Sequence, residues 1–399
     1  MSAVKIKENV YAVGIVDWNQ RDFHGSTYKT IRGVTYNSYL IKDDKTVLID
    51  LVHKGFEKEF LDNIRQVVDP SKIDIVIINH IEPDHSGAFC EIVKVCSNAK
   101  FYGTQKAKEG LFKYYGVLPS QWQSVKTNDS INIGKRTLHF IDTPMLHWPD
   151  SMFTYSPQDK ILFSNDGFGQ HYAANKVFDD EVNKDILFSE AQKYYANILL
   201  PYGSILSAKL NALSKTALDI DIIAPSHGLV WRANAAEILD KYTQWSSNIC
   251  KNKIAVIYET MWKSSETMAR KIMEGISSQG AEGYIFDLAV NDRTDIVSYI
   301  LDSKGIIFGS STHDNVCLPI MAGFIHFFKG LKVKNRKSFA FGSFGWGGGA
   351  VKEIEEVLKG CEGFELFPSI SIQYAPNQEE LSQCFQAGSA FAKAICSCN

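Results

Sequence analysis

The segment of residues 80–85 constrains the fold of this 399-residue chain more than any other feature. It contains His80, Glu82, Asp84 and His85, four potential metal ligands, and it directly follows a run at 73–78 that is apolar except for Asp74. Such a run is typical of a strand buried on both faces. The polar cluster is costly to fold unless something neutralises it. Because open sheets place their sites at the carboxyl ends of strands, the sequence predicts a sheet that ends here in a metal site.

Three more candidate ligands stand in turn-like contexts far from this segment. His147 lies between two nearby prolines, while Asp166 and His227 each follow an apolar strand and precede a glycine. Each of these residues alone is more typical of a cap or a hydrogen-bonding loop residue than of a metal ligand. Together with the cluster at 80–85, they indicate one centre that several strand-end loops build.

The length and the change of pattern near residues 245–253 predict two domains, 1–249 and 253–399. The first is expected to be strand-rich with interspersed helices. The second alternates strictly between five strands and five helices, which predicts a doubly wound α/β domain. The predicted elements that matter below are a strand at 10–18, a hairpin over 35–49, a helix at 185–198 and a fifth parallel strand at 365–372.

Composition narrows the class of protein. The net charge of -3, from 42 basic and 45 acidic residues, gives no electrostatic footprint for nucleic acid or for an anionic membrane. Residues 1–9 lack the apolar core of a signal peptide and no run is long enough to cross a bilayer, so we expect a cytoplasmic protein. The eight cysteines form no CxxC pair, so we expect free thiols and no fused rubredoxin-type iron centre.

Three loops of the second half are candidates for binding a flavin. The first strand runs into a hydroxyl-rich segment that opens a helix, where free N–H groups and the helix dipole suit a phosphate. Alone, this segment would equally serve as an ordinary N-cap. Two further loops, at 309–315 and 342–349, follow the third and fourth strands at the crevice edge of the fold. A GxGxxG dinucleotide fingerprint is absent after the first strand. The predicted FMN-binding residues are Thr260, Met261, Trp262, Lys263, Ser264, Ser265, Ser310, Ser311, Thr312, His313, Asp314, Asn315, Ser343, Phe344, Gly345, Trp346, Gly347 and Gly348.

The spacing of the metal candidates resembles the ligand pattern of the metallo-β-lactamase fold. Hydrolytic members of that fold usually carry histidine where this chain has Glu82, and the glutamate form resembles the flavodiiron proteins. The segments 23–25, 145–151, 168–171 and 194–197 also look like parts of that family. The phosphate loop is similar to that of flavodoxins, except that Lys263 stands where Gly is common and Ser265 where Thr is common.

The resemblance covers essentially the whole chain. It implies a metallo-β-lactamase-like αββα sandwich followed by a flavodoxin-like, doubly wound, five-stranded parallel sheet. It also implies two iron sites: one iron held by His80, Glu82 and His147, the other by Asp84, His85 and His227, and both bridged by Asp166. Hard anionic oxygens suit iron that must reach the ferric state, whereas redox-silent zinc is well served by imidazoles. His24, His171 and Tyr195 are weaker candidates that could orient the ligands, and a structural role fits each of them equally well.

The implied activity is electron transfer from FMN to a non-haem diiron site that reduces dioxygen to water or nitric oxide to nitrous oxide. The donor would be a separate rubredoxin or a reduced deazaflavin coenzyme, and the chains would pair as a head-to-tail homodimer or a dimer of dimers. Two alternatives stay open at this point. One is a zinc hydrolase fused to a flavodoxin-like module, against which Glu82 argues. The other is an electron carrier with a vestigial metal half, against which the complete ligand set argues.

Overall fold

The computed structural model describes residues 2–215 and 218–397, which form two compact units that divide between Thr243 and Gln244. Each unit has its own buried core. The domain limits 1–249 and 253–399 stay a prediction. Among the described residues, no helix combines the length and the apolar character that crossing a membrane requires.

The first unit is built from short strands with helices between them. Its strands are β1 (Val4–Lys7), β2 (Val10–Ala12), β3 (Ile15–Asp17), β4 (Asp22–Phe23), β5 (Tyr28–Lys29), β6 (Val34–Tyr36), β7 (Tyr39–Lys42), β8 (Thr46–Ile49), β9 (Ile75–Ile78), β10 (Lys100–Gly103), β11 (Trp122–Ser124), β12 (Ser130–Asn132), β13 (Thr137–Asp142), β14 (Met152–Ser156), β15 (Ile161–Phe163) and β16 (Ile222–Ala224). Its helices are α1 (Glu57–Arg65), α2 (Pro83–Ser86), α3 (Phe89–Val95), α4 (Gln105–Tyr115), α5 (Lys184–Tyr194), α6 (Gly203–Lys215) and α7 (Ala235–Ser246).

Two sheets pack face to face in this unit. One has the strand order β1-β2-β7-β8-β9-β10-β11, and the other has the order β12-β13-β14-β15-β16. Ile49 and Ile77 of the first sheet share one buried cluster with Phe140 and Phe163 of the second. On the outer face of the first sheet, α3 packs Phe89 against the next strand, β10. The architecture is the predicted αββα sandwich.

Two predicted elements of this unit differ from the structure. The strand expected at 10–18 is broken into β2, which pairs with β7, and β3, which pairs with β6. The break lies at Gly14, where a Cβ would come within 2.3 Å of a backbone oxygen of β6. The helix expected at 185–198 consists of α5 and a following π-helical turn, Tyr195–Leu199. The predicted hairpin is confirmed, because β7 and β8 pair antiparallel through Lys42 and Thr46.

The second unit alternates strands and helices. Its strands are β17 (Lys251–Glu259), β18 (Glu282–Asp287), β19 (Ser303–His313), β20 (Val316–Cys317), β21 (Lys337–Phe344), β22 (Glu365–Leu366) and β23 (Ile370–Gln373). Its helices are α8 (Ser264–Ser277), α9 (Arg293–Ile300), α10 (Pro319–Gly330), α11 (Gly349–Lys359) and α12 (Gln378–Cys396).

The central strands of this unit are parallel in the order β18-β17-β19-β21-β23, which is the flavodoxin-like order. The fifth strand, expected as one piece at 365–372, is split into β22 and β23, which both pair with β21. Helices α8 and α12 cover one face of the sheet through Ile272 and Phe391. Helix α10 packs Phe328 against Phe308 of β19, with the ring centroids 5.2 Å apart.

Two glycines allow α8 and α12 to pack at close range. A Cβ at Gly275 would lie 2.1 Å from the carbonyl oxygen of Phe385, and a Cβ at Gly388 would lie 2.1 Å from that of Ile272. We expect Gly275→Ala to destabilise the second unit by about 1–3 kcal/mol, because the helices must move apart. This cost outweighs the roughly 1 kcal/mol that alanine gains over glycine within a helix.

The matched control for this substitution is Gly323→Ala in α10, where no neighbouring atom of the described residues lies within 4 Å of the added Cβ. That variant should be neutral or slightly more stable. Chemical denaturation followed by tryptophan fluorescence measures both free energies of unfolding. Equal changes in the two variants would contradict the packing explanation.

Candidate metal centre and cofactor cleft

The cluster at 80–85 is held at the end of β9 by a buried hydrogen-bond network. Asn79, the first residue after the strand, donates its N–H (2.7 Å) and its Nδ2 (3.0 Å) to the carboxylate of Asp50. The hydroxyl of Thr154 in β14 donates to Asn79 Oδ1 at 2.7 Å. Pro83 then begins the single turn α2, a position where proline suits a helix. The ligand-bearing turn is therefore fixed against both sheets.

The first pocket is formed by His80, Glu82, His147 and Asp166. His80 Nε2 lies 3.5 Å from Glu82 Oε2 and 3.4 Å from Asp166 Oδ2. His147 Nε2 lies 3.0 Å and 3.3 Å from the same two oxygens. All four side chains therefore present one atom to a common point.

The second pocket is formed by Asp84, His85 and His227. Asp84 Oδ2 lies 3.3 Å from His85 Nε2 and 3.1 Å from His227 Nε2. The other oxygen of Asp166, Oδ1, lies 2.9 Å from His85 Nε2 and 3.6 Å from His227 Nε2. Asp166 thus faces both pockets, one with each carboxylate oxygen.

Both pockets fit metal ions. Ligand atoms around one ion at ~2.1 Å lie roughly 3.0–3.4 Å from one another, close to the separations observed here. Several atoms of these ligand side chains are buried without a hydrogen-bond partner among the described residues: His80 Nε2, both oxygens of Asp84, His85 Nε2 and Asp166 Oδ1. Buried polar atoms are normally paired, so these orphaned ones point to bound ions. All seven predicted ligands are thus brought together.

Without metal, the fold should lose stability as the pH rises from about 6.5 to 9. Burial by itself lowers the pKa values of His85 and His147, but the facing carboxylates outweigh it and raise each to about 9. The folded metal-free protein therefore binds protons that the unfolded chain has released. This stabilisation is fully present below pH 6.5 and is lost as the pH rises through 9.

The measurement is thermal unfolding of metal-stripped and metal-loaded protein at both pH values. We expect the metal-stripped form to lose on the order of a few kcal/mol between pH 6.5 and 9. The metal-loaded form should change less, because its ligand nitrogens carry no proton. A metal-stripped protein with the same unfolding temperature at both pH values would contradict this expectation.

Two residues that hold the ligand histidines from behind were not predicted from the sequence. His80 Nδ1 donates to Asp150 Oδ2 at 3.0 Å, and His227 Nδ1 donates to the carbonyl oxygen of Thr35 at 2.7 Å. Each contact fixes which ring nitrogen faces the pocket. A backbone acceptor such as that of Thr35 leaves no mark in a sequence.

The weaker sequence candidates have different surroundings. His24 Nε2 lies 3.0 Å from Glu82 Oε1, at the edge of the first pocket. His171 is fully buried, and its ring centroid lies 5.0 Å from that of the ligand His227. Tyr195 packs against Tyr242, whereas its neighbour Tyr194 packs against His171 and His227. A role for His24, His171 or Tyr195 in orienting the ligands stays a prediction. Tyr194, which was not predicted, packs beside the second pocket against its ligand His227.

In the second unit, the strand ends surround a cleft of about 900 Å³. The predicted residues that line it are Met261, Trp262, Ser264, Ser311, Thr312, His313, Asp314, Asn315, Ser343, Phe344, Gly345, Trp346 and Gly347. Tyr374 and Ala375, which follow β23, also line it and were not predicted. The predicted residues Thr260, Lys263, Ser265, Ser310 and Gly348 are not part of the lining.

Three serines join the loops of this cleft. Ser265 Oγ, at the start of α8, lies 3.1 Å from Ser311 Oγ and 3.2 Å from Ser343 Oγ. The loops expected from residues 309 and 342 begin later than predicted. Strand β21 continues to Phe344, and Ser311 of β19 still pairs with Ser343 of β21. Beyond Ser311, β19 forms a hairpin with β20. The cleft is therefore built on rigid strand ends.

The cleft fits a flavin mononucleotide. The first N–H groups of α8 have no partner within the helix, so they suit a phosphate. Thr260 Oγ1, four residues before this helix begins, is buried without a hydrogen-bond partner among the described residues. Trp262 and Trp346 are 81% and 96% exposed, which is unusual for tryptophan and suits the flanks of a flat ring.

Both halves of the chain match known families. Residues 34–228 match the ODP family beta lactamase, and residues 256–388 match the flavodoxin family. Among curated relatives, a nitric oxide reductase from Moorella thermoacetica is 43% identical over 98% of each chain. An anaerobic nitric oxide reductase flavorubredoxin from an Enterobacter species is 41% identical over 98% of this chain and 82% of the relative.

Solved structures resemble the whole chain as well. The rubredoxin oxygen:oxidoreductase from Desulfovibrio gigas has a TM-score of 0.96 at 34% identity and covers 99% of both chains. The flavodiiron protein from Giardia intestinalis has a TM-score of 0.95 at 35% identity, over 100% of this chain and 97% of that one.

Proposed function

Because this chain belongs to the flavodiiron protein family, we propose that its two pockets hold the iron pair, and its cleft the FMN, of a reductase for nitric oxide and dioxygen. The enzyme is an oxidoreductase that depends on flavin and on a diiron centre. The observation that carries the assignment of residues is Asp166, which offers one oxygen to each pocket. A carboxylate in this position keeps two ions close enough to act on the same substrate.

The residues around the pockets prepare the site for this chemistry. When bound, the FMN would supply electrons, and the iron pair would supply the redox site at which the gas is reduced. Asp150 and the Thr35 carbonyl hold His80 and His227 with Nε2 towards the pockets. Phe23 packs against both His171 and His227 and helps to keep water from the second pocket. His24, exposed beside Glu82, is placed to hydrogen-bond the Glu82 carboxylate through Nε2.

The residues of the cleft divide between phosphate and ring. The phosphate would accept hydrogen bonds from the N–H groups in the first turn of α8. The ring would lie between the strand ends, with Trp346 and Tyr374 beside it. The linked serines keep the three loops at fixed spacing, so the ring and the phosphate are held together.

The electrons come from outside the flavin domain. Two of the relatives carry rubredoxin in their names, which supports a rubredoxin-type donor for this chain. A reduced deazaflavin coenzyme is the second candidate. The cytoplasmic location stays a prediction. Stopped-flow reduction of the bound flavin by each donor discriminates them, since the physiological donor should reduce FMN much faster than the other.

The chains are assigned to a head-to-tail homodimer, or a dimer of dimers, in which the flavin of one chain serves the irons of the other. The exposed rings of Trp262 and Trp346 at the mouth of the cleft support a contact there. Sedimentation velocity combined with gas uptake tests this assignment. A fully active monomer would rule it out.

The experiment that tests the function is metal and flavin analysis of the purified protein, followed by gas uptake after anaerobic reduction. Two irons and one FMN per chain, with nitric oxide or dioxygen consumed, are expected from the two pockets and the one cleft. The relative rates with the two gases rank the substrates. Zinc in the pockets, with no gas uptake after reconstitution with iron, would instead favour the hydrolase alternative.

A further inference from the structure

The two metal pockets have matching ligand sets but different residues behind them. Each has two histidines and one carboxylate of its own, and the two share Asp166. Behind the first pocket, His80 Nδ1 donates to a buried carboxylate, that of Asp150. Behind the second, His227 Nδ1 donates to a neutral carbonyl, and His85 Nδ1 has no hydrogen-bond partner among the described residues. The asymmetry between the pockets therefore lies in the charge behind the imidazoles.

The carboxylate of Asp150 contacts the first pocket through one ligand, His80. It is 1% exposed, and its Oδ2 accepts from both His80 Nδ1 and the N–H of Ile81 at 2.9 Å. Within the described residues, its Oδ1 has no hydrogen-bond partner and its ion pair is with His80. The hydroxyl of Thr104 donates to its backbone oxygen at 3.0 Å and fixes its position. A carboxylate behind a ligating imidazole makes that ligand a stronger donor.

Two other groups act on these pockets but do not cancel the difference. His24 contacts Glu82 and withdraws electron density from the first pocket, but its side chain is 34% exposed, so water screens the effect. Asp50 is a buried carboxylate that interacts with His85 and, less strongly, with His80, so it acts on both pockets, but its hydrogen bonds are with Asn79 and not with a ligand. Neither group offsets a buried charge that is hydrogen-bonded to one ligand alone.

We propose that Asp150 makes the two metal sites inequivalent, so that the ion held by His80, Glu82 and His147 is the first to be oxidised and the last to be reduced. A negative charge at this place favours the higher oxidation state in that pocket. The inference rests on the proposed function, because it takes iron as the metal. It assigns to Asp150 a positioning and tuning role that acts through His80.

The test is a redox titration of the iron-loaded protein and its Asp150→Asn variant, followed by Mössbauer spectroscopy with ⁵⁷Fe. The asparagine oxygen can still accept from His80 and Ile81, so the variant removes the charge and keeps the geometry. We expect the lower of the two iron potentials to rise, by about tenfold in the equilibrium constant or about 59 mV for one electron. The higher potential should stay where it is, so that the gap between the two steps narrows.

Two further variants separate charge from position. Asp150→Ala removes the acceptor as well, so it should weaken metal binding in one pocket by about 10–100-fold, measured by cobalt(II) titration of the metal-stripped protein. Asp50→Asn removes a buried charge that contacts no ligand directly, and it should raise both iron potentials. Selective narrowing of the gap by Asp50→Asn would overturn the role of the His80 contact.

The outcomes distinguish this inference from the function itself. Suppose that the wild-type protein contains two irons and consumes gas while the lower iron potential is the same in Asp150→Asn. That result would overturn the inference and leave the proposed function unaffected. If the higher iron potential shifts instead, Asp150 acts on the ion that is reduced first, which is the opposite of the proposed order and also overturns the inference. Absence of an iron pair in the wild-type protein would overturn the function first.

Discussion

Asp166→Asn is expected to release iron from both pockets and to stop gas reduction while the flavin stays bound. An amide carries no charge and has one oxygen, so it cannot serve the two pockets that the two oxygens of Asp166 face. Loss of a partner behind a ligand alone costs 10–100-fold in metal affinity, so loss of a shared ligand should cost about 100-fold or more. Iron content and gas uptake should fall together.

The flavin is the internal control for this variant, because the cleft lies in the other compact unit. FMN content should stay at the wild-type level, and circular dichroism should show the wild-type secondary structure. Asp221→Asn is the external control, since Asp221 is an aspartate of the same unit in a surface pair with Lys160, 4.0 Å away. An Asp166→Asn protein that retains two irons and normal turnover would contradict the assignment of Asp166 as the shared ligand.

The sequence identified these ligands because each lies at a strand end with a recognisable neighbour. Pro83 marks the turn after β9, and glycines follow Asp166 and His227, so the polar residues stood out against apolar strands. Strand ends of one sandwich edge meet in space, so residues far apart in the chain could be grouped without a structure. The pairing of ligands into two pockets came from the family resemblance, since sequence spacing does not determine distances.

The residues that contact the ligands from behind could not be predicted from the sequence, for physical reasons. The partner of His227 is the carbonyl of Thr35, and every residue has a carbonyl. The choice between Tyr194 and Tyr195 depends on how α5 is rotated, and the π-helical turn that begins at Tyr195 changes the helix period there. Neighbouring residues on a helix point about 100° apart, so an error of one position selects the wrong face.

In the second unit, strand alternation predicted the sheet, but local composition misplaced the ends of strands. The hydroxyl-rich stretch from Ser310 reads as a loop, yet cross-strand pairing with β21 keeps it in the sheet. Tyr374 was missed because it follows the split fifth strand and is not in a glycine- or serine-rich loop. Tertiary pairing overrides local propensity at both places.

Ser264→Asp is expected to weaken FMN binding by roughly 100-fold, because it places a carboxylate beside the flavin phosphate. Ser264 is the first residue of α8 and lines the cleft, so the added charge faces the phosphate-binding N–H groups. The fold should not suffer, since an aspartate in the first turn of a helix is favourable. Titration of the flavin-free protein with FMN, followed by quenching of flavin fluorescence, measures the dissociation constant.

Thr267→Asp is the matched control for this variant, because it adds the same charge to the same helix on an exposed side chain. It should change the FMN dissociation constant by less than about threefold, since water screens an exposed charge. If both variants weaken FMN equally, the effect is one of overall charge and the phosphate does not lie at the start of α8. If neither does, the phosphate lies elsewhere in the cleft. A loss confined to Ser264→Asp, with iron content unchanged, places the phosphate at this helix and keeps the flavin and metal assignments independent of each other.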